Sequence, residues 1–399
     1  MGKVFQVQLM QEHTSQTIFP QLDLPAQPWE LLDAMDRVRL QEGEKLRVRI
    51  DQYLDFKELI FHLITAKVQL LELNDLALRL ARLDAAQRTA FRGLLRMESP
   101  TFEQRLPLAR LRDLAASVDS CRVEASVSRD EELGRIYVES GRLPKYRGLP
   151  ESVQKMLNYE EIGKESRERE QGIYLSGGGY VVRTRSMIQA PPAPERMEKP
   201  PYIFRLCVTN ERLSDRTALL DLPATPEELE EALRETGAAS WRNVGVQTVD
   251  SALPGFLEGM DCAGEIEILN DLALTVRDVE QAGLLPKYKA VLHAVRCTDP
   301  EEAIRLGERL DEYLLETRTY TSADIALGEL HAILDDRTVE LLKPCVDLYR
   351  FGDALIQKYD SDLTEYGLVE RRDGQPVQKM GQEPKPGRQG IQRGGMTLG

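Results

Sequence analysis

Tyr159–Arg183 reads YEEIGKESREREQGIYLSGGGYVVR, and the fold expected of the whole chain follows from how this stretch is parsed. Tyr159 to Gly163 reads as the end of a helix, with Gly163 able to take the left-handed turn that stops one. The charged run Lys164, Glu165, Arg167, Glu168, Arg169 and Glu170 reads as a solvated turn or helix face. Beyond it, Ile173-Tyr174-Leu175 and Tyr180-Val181-Val182 flank Ser176-Gly177-Gly178-Gly179. Two apolar runs joined by a glycine turn predict a β-hairpin. A phosphate-cradling loop would need a helix behind its glycines, and Tyr180–Arg183 reads as a strand. The stretch therefore closes a unit.

Working back from it, Phe5, Val7 and Leu9 alternate with Gln6 and Gln8, the pattern of a half-buried strand. A turn-rich link carries Leu22-Asp23-Leu24-Pro25-Ala26. Pro28 then opens a helix with Leu31, Leu32, Met35 and Val38 on one face. Leu46, Val48 and Ile50 alternate again, which completes a small β-α-β element. The middle reads as helices over Phe56–Thr65, Asn74–Leu83, Ala85–Met97, Pro107–Ser117, Asp130–Ser140 and Glu151–Gly163. Leu73, Leu76, Leu78, Leu80 and Leu83 supply a core stripe.

Working forward, Pro191-Pro192-Ala193-Pro194 through Pro200-Pro201 predicts an extended linker at 191–201. After it the same landmarks return in order. Ile203-Phe204 matches Val4-Phe5, and LDLPA at Leu220–Ala224 matches Leu22–Ala26. LNDLAL at Leu269–Leu274 matches Leu73–Leu78, and Tyr288–Leu292 matches Phe91–Leu95. Tyr349, Gly352 and Gly367 match Tyr159, Gly163 and Gly179, at offsets between 188 and 199 throughout. Collinear anchors at a near-constant offset predict a tandem duplication. The expected fold is an elongated α+β chain of two such units, residues 1–190 and 202–371. Each has a β-α-β start, a helical middle and a C-terminal hairpin. A Gly-, Gln- and Pro-rich basic tail, 372–399, is expected to be disordered.

The 399 residues carry a formal net charge of −14, and the segment from Arg371 holds six basic against two acidic side chains. The rest therefore carries −18, which argues against direct nucleic-acid binding by the folded body. No apolar run is long enough to span a bilayer, and Met1–Leu9 lacks a signal-peptide core. Cys121, Cys207, Cys262, Cys297 and Cys345 have no metal or redox spacing and read as buried reduced thiols, which fits a cytoplasmic protein. His62 and His293 fall within apolar helical patterns and read as structural. No nucleophile elbow, Walker loop or metal-protease motif occurs, so no catalytic residue, cofactor or metal is expected.

What remains is the acid. Glu227, Glu228, Glu230, Glu231 and Glu235 crowd one short helix, with Glu227/Glu231 and Glu231/Glu235 about 6 Å apart along it. Acids near a helix N-terminus complement its dipole, so a solvated face is the plain reading. Glu30, Asp33 and Asp36 are expected on the matching face of the first unit, and Glu160, Glu161, Glu165, Glu168 and Glu170 in its closing stretch. The sharper reading is imitation of DNA. Duplex DNA carries one charge per roughly 1.7 Å, so 18 charges correspond to about 30 Å, near one turn.

LNYEEIG at Leu157–Gly163 followed by GIYLSGGGYVV at Gly172–Val182 resembles the C-terminal part of the ArdA antirestriction proteins, a resemblance that covers about 25 residues. That family is carried by plasmids and conjugative transposons. Its members are elongated acidic dimers that imitate bent B-form DNA and occupy the DNA site of type I restriction–modification enzymes. The resemblance implies a non-enzymatic inhibitor whose partner is a DNA-binding defence enzyme of a host. This chain has two units where the family has one, so the duplication would supply within one chain what a dimer supplies elsewhere, although a homodimer remains compatible with it. A CRISPR effector is an alternative target for the same surface. A structural or adaptor protein of a mobile element, acting through the basic tail, is the other.

Overall fold

The structure is a computed structural model that describes residues 2–11, 19–41, 43–64, 66–101, 104–212 and 216–377. Most of the basic tail therefore lies outside the described residues. The chain is a mixed α+β protein of two compact units. One unit takes Met1–Gln27 and Glu42–Glu198; the other takes Pro28–Gln41 and Lys199–Gly399. The main division thus falls inside the proline-rich stretch. The assignment of Pro28–Gln41 to the second unit was not expected.

The first unit opens with β1 (Phe5–Gln11) and β2 (Gln21–Leu24). Helix α1 (Pro28–Val38) follows in sequence but belongs to the second unit. Strand β3 (Leu46–Tyr53) completes an antiparallel sheet of order β2-β1-β3. Phe5, Val7 and Leu9 are buried as the alternation predicts. The LDLPA segment, read as a link, is partly strand: Leu22 and Leu24 pair with Val7 and Phe5. The opening element is therefore β-β-α-β and not β-α-β.

The helical middle is a one-turn α2 (Ile60–Leu63), α3 (Leu70–Ala81), α4 (Ala85–Glu98) and α5 (Leu108–Ala116). Asp84 and Gln87 close a capping box that fixes where α4 begins. The LND motif also finds its reason. Asn74 Oδ1 accepts from Ala26 N at 2.7 Å and Nδ2 donates back to Ala26 O at 3.2 Å. One side chain satisfies both backbone groups of the residue that ends LDLPA.

Strand β4 (Cys121–Glu124), α6 (Asp130–Glu139), a short α7 (Glu151–Gln154) and α8 (Tyr159–Glu170) lead to the hairpin. Strands β5 (Ile173–Tyr174) and β6 (Tyr180–Arg183) form it, in a sheet of order β4-β6-β5. Gly178 and Gly179 have φ of 89° and 104°, so the glycine turn is needed for its conformation. Gly163 is not a helix stop. Helix α8 starts at Tyr159, runs through Gly163 and ends at Gln171, which carries the left-handed φ of 52°. Gly163 is required for packing instead. A Cβ there would overlap Asp130 O of α6, and one on Gly134 would overlap Tyr159 O, so the two helices cross backbone to backbone.

The second unit has β7 (Phe204–Asn210), β8 (Thr217–Leu222), α9 (Pro226–Thr236) and β9 (Val244–Ser251). Then come α10 (Ile266–Gln281), α11 (Leu285–Val295) and α12 (Pro300–Glu308). Strand β10 (Tyr313–Glu316), α13 (Ser322–Ile333), α14 (Asp336–Leu342), α15 (Leu348–Tyr359), β11 (Asp362–Thr364) and β12 (Gly367–Arg371) close it. Its sheets are ordered β8-β7-β9 and β10-β12-β11. The β7–β9 register shifts between Arg205 and Leu206, as the β1–β3 register shifts between Gln6 and Val7. Asn270 bonds both backbone groups of Ala224, as Asn74 bonds those of Ala26. Its core joins Phe204, Leu206, Leu269, Leu272, Val276 and Tyr288 to Trp29 of α1.

Candidate functional site

Helix α9 forms where it does because Thr225 and Glu228 close a capping box ahead of Pro226, and Gly237, at φ 69°, ends it. Ala232 and Thr236 are buried, and Leu229 and Leu233 pack against the core. The remaining faces expose Glu227, Glu228, Glu230, Glu231 and Glu235. The one basic residue on the helix, Arg234, pairs with Glu231 at 2.9 Å. The backbone N–H and hydroxyl of Thr225 hold the Glu228 carboxyl below its usual range. This helix presents the carboxylates as the sequence reading places them.

Helix α8 does so in part. Glu160, Glu161, Glu165 and Glu168 are exposed, and Asn158 caps the helix by accepting from Glu161 N at 3.2 Å. Lys145 reaches Glu165 at 2.9 Å. Glu170 is not a surface carboxylate. It accepts from Tyr137 Oη at 2.7 Å and from Arg122 at 3.0 Å beneath the closing hairpin. Burial first, then the bond to Glu170, pushes the Tyr137 phenol up to about 12.

Helix α1 departs furthest from expectation. Asp33 is buried, and Asp36 is half-buried. Lys289 Nζ, itself buried on α11, donates to Asp33 Oδ1 and Asp36 Oδ2, each at 2.9 Å. Tyr366 Oη donates to Asp33 at 2.7 Å, and Arg37 stands 2.9 Å from it. Burial raises the Asp36 carboxyl above its usual range even against the pull of Lys289. Trp29 anchors the helix start: its N–H donates to Asp250 at 3.2 Å and its Nε1 to Tyr202 O at 2.8 Å. Arg39 donates to the carbonyls of Thr317 and Thr319 and lies 4.1 Å over the Tyr320 ring. Asp33 and Asp36 therefore hold the second unit together and do not form an open acidic face. Glu30 is partly exposed beside them. The signal for this was a lysine inside the otherwise apolar YKAVL segment, some 250 residues from its partners.

Sequence reasoning also passed over α10. Glu267, Asp271 and Asp278 lie exposed along one side of it. In the first unit the matching Asp75 is bound by Arg79 at 2.9 Å and Arg112 at 2.6 Å. His62 is buried and accepts from Leu106 N at 3.1 Å, a structural role as expected, whereas His293 is exposed. Cys262 and Cys297 are buried, Cys121 and Cys207 half-buried, and Cys345 exposed, against the expectation of five buried thiols. Among the described residues no group of three His, Cys, Asp or Glu side chains converges as metal ligands would, and no helix is long and apolar enough to cross a membrane. Compared with known proteins, the chain matches no family model and no curated sequence.

Proposed function

We propose that this chain is an acidic DNA mimic of a mobile genetic element, built by tandem duplication. It inhibits a host DNA-targeting defence enzyme, with a type I restriction–modification complex as the target, by occupying the DNA channel. The observation that carries the reading is α9: five exposed carboxylates on eleven residues with one arginine among them. Helix α8 adds Glu160, Glu161, Glu165 and Glu168, and α10 adds Glu267, Asp271 and Asp278. A channel that binds duplex through phosphate contacts is lined by Lys and Arg, and exposed carboxylates of comparable charge density compete for it. Such binding needs no catalytic group in the inhibitor. The recurrence of element order, sheet order and the Asn–Ala bonds in the two units supports the duplication.

The test is inhibition of a purified type I restriction enzyme by the wild type and by a chain with Glu227, Glu228, Glu230, Glu231 and Glu235 all changed to Lys. Inhibition by the wild type and its loss in the folded variant support the reading. Inhibition of a CRISPR effector in place of the restriction enzyme would keep the mimicry and change the target. Failure against both would remove the mimicry.

A further inference from the structure

The second unit contains an occupied helix seat, and among the described residues the chain also carries a counterpart seat and a counterpart helix whose matching positions are exposed. Helix α1 sits on Asp250 of β9, Lys289 of α11 and Tyr366 in the closing hairpin turn. Each anchor has a counterpart in the first unit. Asp250 pairs with Arg205 just before the register shift, as Gln52 pairs with Gln6. Lys289 follows Tyr288 as Arg92 follows Phe91, and Glu365-Tyr366 precede Gly367 as Ser176-Gly177-Gly178 precede Gly179. Whereas Asp250, Lys289 and Tyr366 are buried, Gln52, Arg92, Gly177 and Gly178 are exposed. Lys57 and Leu54 are exposed in the same unit, and Cβ atoms on Gly177 or Gly178 would meet nothing within 4 Å.

The counterpart helix is α9, packed on its own unit by one face and exposed on the other. It follows LDLP as α1 does, and the positions of Trp29, Leu32, Asp33 and Asp36 are held there by Glu227, Glu230, Glu231 and Arg234, all exposed. The seat offers Arg92, which pairs with Glu58 at 2.8 Å, and the helix offers acids, of which Glu231 pairs with Arg234 at 2.9 Å. We propose that α9 of one copy docks on this face of the first unit of a second copy, with Glu231 opposite Arg92 in the relation that Asp33 has to Lys289. The occupant is a second copy because the chain supplies both halves, and docking lets Arg92 and Glu231 exchange Glu58 and Arg234 for each other. Glu227 in place of Trp29 removes the apolar anchor, so the contact is weaker than the α1 seat and sensitive to salt. It joins unlike patches and either extends or closes into a ring. It goes beyond the inhibition proposed above, and it covers the α9 face that would meet a target.

Sedimentation equilibrium of the protein alone tests this independently of any target enzyme. At low salt, between about 1 μM and 1 mM, the mean mass should rise above the 45.2 kDa of one chain, and salt should reverse the rise. Glu231→Lys and Arg92→Glu should each weaken association about tenfold, and together restore it, as coupled charges do. Arg92→Ala, which does not oppose Glu58, replaces Arg92→Glu should that variant fail to fold. A mass of one chain at every concentration overturns the proposal. So do single variants that associate like the wild type, or a double variant no better than either single.

Discussion

At the scale of single residues, the decisive group is Lys289, buried between Asp33 and Asp36. Removing one member of a buried ionic cluster leaves its partners without compensation, which costs about 3–5 kcal/mol. Asp33 keeps Arg37 and Tyr366, so Lys289→Met should fall near the low end, about 3 kcal/mol by urea unfolding. A loss below about 1 kcal/mol, the scale of exposed pairs, would mean the cluster is effectively solvated. The pH dependence has a definite sign. Asp36 holds its proton more tightly folded than unfolded, so its contribution favours the fold at low pH and is lost as pH rises through the folded value. Thermal melts of wild type and Asp36→Asn across the acid range should therefore differ in slope, the variant lacking this contribution. Identical slopes would contradict the raised value.

At the scale of elements, two glycines of the closing stretch make opposite predictions. Gly163→Ala forces α6 and α8 apart at Asp130 O and should cost about 1–3 kcal/mol, as overpacking does. Gly177→Ala meets open space and should be near neutral in the same melts. The hairpin was legible because its pattern is local: apolar runs, a glycine turn, apolar runs. The helix at Gly163 was misread because a glycine demanded by a neighbouring helix looks, in one dimension, like a glycine that ends its own. Helix α9 was legible as a short run crowded with glutamates, and the structure adds the capping box at Thr225 and the stop at Gly237 that bound it. Helix α1 was readable as a helix, but its acids are balanced by a lysine far along the chain, and no local signal separates a buried Asp33 from an exposed Glu231. Reversal of Glu227, Glu230, Glu231 or Glu235 should shift stability by no more than about 0.5 kcal/mol, since these side chains are exposed, whereas Glu228→Lys also opens the capping box with Thr225 and should cost more. A larger loss from any of those four would indicate a structural role.

At the scale of the whole molecule, the sequence repeat predicted two units, and the contacts divide the chain in two with the boundary in the proline-rich stretch. They also assign Pro28–Gln41 to the second unit, a crossing that composition and periodicity cannot signal because it does not alter the order of elements. Binding through a distributed acidic surface is screened beyond about 10 Å at 0.1 M salt. Affinity for the target should therefore fall steeply with ionic strength, measured by titration at several salt concentrations, and a flat response would exclude electrostatic mimicry.

The most direct measurement is inhibition of a purified type I restriction enzyme by wild type, by each single α9 reversal, and by the chain with all five glutamates reversed, with folding checked for each. A distributed mimic predicts near-wild-type inhibition from every single reversal and loss only in the fivefold variant. If the folded fivefold variant inhibits as well as the wild type, the acidic helix is a solvated face and the account is wrong.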